Sequence, residues 1–142
     1  MGTVKPGESI TAQVFNQKLE SIMRRVSGSP PVGTGGSFGD SVDLAAPSGY
    51  GRFHPFSVKI ETSGIASGET ITVRITAVYS DGSSSYIDKS YTVDGTYYLS
   101  VGDLHELYKD GVYIEKLQAQ AASDQSSTSA TVNVDAAGLL GG

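Results

Sequence analysis

The chain contains neither cysteine nor tryptophan. Without thiols there is no disulfide framework, no zinc-thiolate centre and no cysteine nucleophile, and the redox compartment is left open. Charge is also sparse: 18% of the 142 residues are Asp, Glu, Lys or Arg, against about 25% in an average domain. Those present leave a formal net charge of −5 and a pI near 4.8. Such a balance does not neutralise phosphates, so no nucleic acid is expected as a partner. No apolar run approaches the ~20 residues of a membrane span, and no basic-then-apolar start suggests a signal peptide. Neither a membrane nor an export route is therefore expected. Glycine is abundant, at 18 residues, and tyrosine numbers eight. Counting glycine among the 38% apolar residues brings the chain to the about 45–50% of an ordinary folded domain.

Four segments follow from the patterning. In residues 1–26, Pro6 and Gly7 hold the opening out of helix, and Ser9 or Thr11 can cap the helix that follows. Ala12, Phe15, Leu19, Ile22 and Val26 recur at 3-4-3-4 spacing, which predicts one apolar seam of the heptad kind. Val14 and Met23 widen that stripe enough for packing on a globular surface instead. An isolated helix of this length is marginal in water, so the seam is expected to be covered by copies of itself or by another protein. Residues 27–51 hold seven glycines and three prolines in 25 positions. That composition supports no regular element; it reads as a linker, or as a strap lying along a neighbour.

Residues 52–135 change period. Phe56, Val58 and Ile60, then Ile71, Val73, Ile75, Ala77 and Tyr79, alternate with polar residues, the signature of half-buried strands. Asp81-Gly82 and Asp94-Gly95 suit tight hairpin turns, predicting an antiparallel meander through 86–93 and 96–101. Ser100 and Asp103 open a helical turn or two, closed by Gly111. Ile114 and Leu117 lie three apart and can share a face only if a bulge intervenes. Six strands with one apolar face predict a mainly β, antiparallel sandwich of immunoglobulin-like or fibronectin-III-like type, with a jelly roll as the alternative. The helix and strap precede it, and residues 136–142 read as a tail.

Chemistry-bearing patterns are few. His54 and His105 form no metal-ligand pair, no Gly-x-Ser-x-Gly elbow occurs, and Gly33, Gly35 and Gly36 lack the Lys-Ser/Thr of a phosphate loop. Asp81, Asp88, Asp94 and Asp103 could in principle gather calcium, although two of them already serve as turn residues. No catalytic, cofactor or metal site is assigned, so the expectation is a protein that is not an enzyme. Tyr79, Tyr91 and Tyr97 fall on inward phases, which leaves Tyr86 and Tyr98 as candidate surface contacts.

The stretch Pro6-Gly7-Glu8-Ser9-Ile10-Thr11-Ala12-Gln13-Val14-Phe15-Asn16 resembles the N-termini of tail-fibre, head-fibre and capsid-decoration proteins of tailed bacteriophages. That resemblance implies a virion structural protein, assembled in the host cytoplasm, which docks by its N-terminal piece and displays a β-domain. A homo-oligomer is expected, with a trimer favoured because Phe15 is bulky for a dimer seam. Capsid or tail proteins would be its partners, and a host surface glycan is a further candidate. The alternatives are a carbohydrate-binding adhesive module and a prokaryotic surface-filament subunit.

Overall fold

A computed structural model describes residues 23–44 and 52–141. Strands make up 56% of the structure, in two sheets with one short helix. In chain order the elements are β1 (Met23–Gly28), β2 (Val32–Gly33), β3 (Val42–Asp43), β4 (Arg52–Ser63), β5 (Ile71–Tyr79), β6 (Ser84–Tyr91), β7 (Gly95–Leu99), α1 (Val101–Leu104) continuing into a 3-10 turn (His105–Leu107), β8 (Ile114–Ser123) and β9 (Thr131–Gly141). The first sheet runs β1-β9-β4-β7. The second runs β2-β8-β5-β6, with β3 also on β8. All pairings are antiparallel except β2 with β8.

Alternation builds the core. On β5, Ile71, Val73, Ile75, Ala77 and Tyr79 are buried while Thr72, Arg74 and Thr76 point outward. Phe53, Val58, Ile60, Val132 and Val134 of the first sheet join these residues, with Leu117, Ala119 and Ala121 of β8, in one cluster. Two sheets sharing one apolar interior are consistent with a β-sandwich. Each large aliphatic side chain buried this way favours folding by about 1.5–3 kcal/mol.

Irregularities fall where the sequence demands them. On β8, Tyr79 pairs with Ile114 and Val78 with Lys116, so Glu115 is the extra residue of a bulge. Both Ile114 and Leu117 consequently face inward, as their three-residue spacing requires. A second irregularity follows Pro55 on β4, at the kind of site where a strand tolerates a residue without N–H. It moves Phe56 off the inward phase expected for it, and Phe53 and Val58 hold the core positions instead. The Ser100 N–H donates to Asp103 Oδ2 at 2.9 Å, completing the expected cap of α1.

Four expectations need correction. Residues 23–28 are not the last turn of a helix: they are edge strand β1, paired with β9, and Val26 packs on the chain's own core. Ala12, Phe15, Leu19 and Ile22 lie outside the described residues. In its described part (29–44) the Gly/Pro-rich segment is not a free linker: it lies on the chain's own second sheet. Gly36 N–H donates to Ser123 O at 2.8 Å, Gly39 N–H to Ala121 O at 3.0 Å, and Leu44 N–H to Leu117 O at 2.7 Å. Thirdly, β6 and β7 form no hairpin. β7 crosses to β4 in the other sheet, and Asp94 instead accepts the N–H groups of Gly64 and Ile65 at 3.1 and 2.9 Å. Nor is 136–141 a tail, since it is the second half of β9.

Candidate binding faces

The outer face of the second sheet is organised around one cation. Arg74 donates twice to Asp88, Nε to Oδ1 at 2.8 Å and Nη2 to Oδ2 at 3.0 Å. The two residues pair across β5 and β6, so the strand register itself presents fork to carboxylate. The guanidinium carbon lies 3.8 Å from the Tyr86 ring centroid and 4.3 Å from that of Phe38. Both rings cover it, an arrangement favourable for a weakly hydrated planar cation. Hydrogen bonding to Asp88 raises the Arg74 pKa further, so the charge is permanent. Beside this group, the hydroxyls of Thr72 and Ser90 meet at 3.0 Å.

Of the predicted contact residues, Tyr86 is 55% and Tyr98 67% exposed. They do not form one surface. Tyr86 pairs with Thr76 on the outer face of the second sheet, and Tyr98 pairs with Lys59 on the outer face of the first. Because Val58 and Ile75 share one core, those faces point away from each other. The two tyrosines do share a flank, since β6 and β7 are edge strands joined by only three residues. The opposite flank holds β1 and β2, likewise joined by three residues.

Other polar groups brace the loops and turns. Glu69 is 2% exposed; its carboxylate accepts Ala66 N–H at 2.9 Å and the Ser123 hydroxyl at 2.5 Å. The Ser123 and Thr128 hydroxyls, with Ala66 N–H, hold its pKa below the usual 4.5. It ties the 64–70 loop to the 123–130 loop. Asp124 accepts Thr70 N–H at 2.9 Å at the same end, and that bond lowers its pKa. Asp81 accepts the N–H and hydroxyl of Ser83 in the β5–β6 turn. Asp81, Asp88, Asp94 and Asp103 are thus held apart by separate partners, and no group of three or more His, Asp or Glu that could hold a metal occurs among the described residues. His54 and His105 are exposed.

Sequence reasoning missed Phe38 and Arg74. Phe38 is the single phenylalanine of the Gly/Pro-rich segment, and Arg74 the single charge within the longest alternating run; those were the available signals. No protein-family model matches the chain, and no curated protein matches its sequence. No helix among the described residues is long and apolar enough to cross a membrane.

Proposed function

We propose that this protein is a non-enzymatic structural subunit of a tailed-phage virion, attached through residues 1–22 and displaying an immunoglobulin-like two-sheet domain. The observation that best supports this is the division of the domain into two flanks. The N-terminal segment leads into β1 at one flank of the first sheet. Tyr86 and Tyr98 stand exposed on the other. Three strand spacings separate β1 from β7, about 14 Å, so attachment at one side leaves the other open to solvent. The apolar spacing of Ala12, Phe15, Leu19 and Ile22 supplies the docking surface, and the phage-like motif at residues 6–16 favours a virion over the adhesive and filament alternatives. Copies of this chain, a trimer in the first instance, and capsid or tail proteins are its partners.

Light scattering on the purified chain and on Leu19→Asp tests the attachment. The wild-type mass should be that of an oligomer and the variant's that of a monomer, with the same far-UV circular dichroism and melting temperature. A monomeric wild type, or an unchanged mass for Leu19→Asp, contradicts the reading.

A further inference from the structure

We propose that the second sheet carries a binding site for a neutral saccharide on its outer face, in the groove between the 34–39 loop and β6. The groove measures ≈ 170 Å³, and Gly36, Phe38, Thr70, Thr72, Asp88 and Asp124 line it. Clefts that enclose drug-sized ligands run to about 300–1,000 Å³. This one takes a single sugar ring and leaves the rest of a glycan in solvent.

Its chemistry selects the ligand class. Phe38 provides a flat apolar wall for the C–H face of a pyranose. Asp124 is fixed by Thr70 N–H and ionised, since its hydrogen bonds lower its pKa. Asp88 is fixed and neutralised by Arg74. Each carboxylate oxygen accepts more than one hydrogen bond, so the site offers acceptors to vicinal hydroxyls. Thr72 adds a hydroxyl, held beside Ser90 Oγ at 3.0 Å, that can donate or accept. A phosphate or acidic sugar meets Asp124 and the overall charge of −5, and is repelled. A cation finds one uncompensated carboxylate, too little to hold a metal. The Arg74 fork and the two rings over it fix Asp88 and Phe38 before any ligand arrives, which lowers the ordering cost of binding.

Two larger cavities among the described residues offer a poorer set of contacts. One of ≈ 430 Å³ at the 64–69 and 125–129 loops has no aromatic wall, and its Glu69 is already engaged by Ala66 and Ser123. Another of ≈ 310 Å³ beside α1 shares Tyr86 and Asp88, but the Tyr86 ring stacks on Arg74 and its Lys89 and Asp103 pair with each other at 3.7 Å. The saccharide site does not depend on the assembly reading, because it uses none of residues 1–22.

The test is a titration of the full-length ¹⁵N-labelled chain with maltotetraose, cellotetraose and chitotetraose, and with a heparin tetrasaccharide as the acidic control. At least one neutral sugar should shift the amides of Gly36, Thr72, Asp88 and Asp124 in fast exchange, and heparin should not. Thr72→Arg, which fills the groove from a solvent-facing position, should weaken that response at least tenfold with the remaining spectrum unchanged. Asp124→Asn, which keeps an acceptor for Thr70 N–H, should weaken it less. Three outcomes overturn the proposal: no shift with any neutral sugar, shifts with heparin alone, or shifts that persist in Thr72→Arg.

Discussion

A methyl group at Gly33 tests whether the Gly/Pro-rich strap is part of the β-domain. In Gly33→Ala the new Cβ would lie 2.0 Å from Ser37 O, 2.5 Å from Gly39 N and 2.7 Å from the Phe38 carbonyl carbon. All three are backbone atoms, so no rotamer change relieves the clash. Ordinary contact begins at 3.4 Å, so the 37–39 backbone must retreat by 3.4 − 2.0 = 1.4 Å. That movement breaks the Gly36–Ser123 and Gly39–Ala121 hydrogen bonds and draws Phe38 away from Arg74. Two net hydrogen bonds at about 0.5–1.5 kcal/mol each and one cation–π contact at about 0.5–1 kcal/mol give a loss of about 1.5–4 kcal/mol. With a urea m-value of about 2 kcal/mol/M the midpoint should fall by about 1–2 M. Faster amide exchange at Gly36 and Gly39 should accompany the fall. Gly102→Ala in α1 is the control: its Cβ meets only Ser100 Oγ, at 3.7 Å, so the replacement should be neutral or slightly stabilising. A Gly33→Ala protein within about 0.5 kcal/mol of wild type would show that the strap is not seated on β8.

Two further outcomes follow from the interior. Tyr79 is 1% exposed, and its hydroxyl donates to Leu107 O at 2.6 Å beside Ser85 Oγ at 2.5 Å. Tyr79→Phe leaves that carbonyl unpaired and should cost about 1–3 kcal/mol by urea denaturation. Glu69 and Asp124 both have folded pKa values lowered by hydrogen bonds, so their stabilisation is present above about pH 4.5 and is lost as pH falls through the folded values. Melting temperature should therefore hold from neutral pH to about pH 5 and drop below it, and Glu69→Gln should flatten that acid limb. An acid limb unchanged in Glu69→Gln would remove Glu69 from the explanation.

Wherever alternation is strict, the fold was legible in the sequence. Ile71–Tyr79 is strand β5 with the expected inward face. Asp81-Gly82 is the β5–β6 turn, with Gly82 at φ 86°, and the Ser100/Asp103 cap was correctly placed. Asp94-Gly95 misled because the dipeptide carries two different meanings. Gly95 begins a strand, and the Asp94 carboxylate holds the 64–65 backbone rather than its own turn. Sequence spacing cannot reveal a partner 30 residues away. Met23–Gly28 has one aliphatic inward residue, Val26, and two arginines, which fit a helix end as well as an edge strand. The second half of the last strand, read as a tail, hid for the opposite reason. At Gly138 a Cβ would lie 2.6 Å from the Phe53 ring, so close packing selects a small residue where alternation would show a large one. The outer-face group of Phe38, Arg74 and Tyr86 joins three distant segments, and only the β5–β6 register and the docked loop bring them together.

The most direct measurement compares two N-terminal truncations by thermal melting and light scattering. A chain beginning at Met23 retains every described strand, and it should melt with the full-length protein while sedimenting as a monomer. A chain beginning at Arg52 loses β1, β2 and β3 and uncovers the outer edges of β8 and β9; it should melt far lower or fail to fold. Equal melting of the two truncations, or an oligomer that survives removal of residues 1–22, would contradict a β-domain that needs β1, β2 and β3 and assembles through the residues before them.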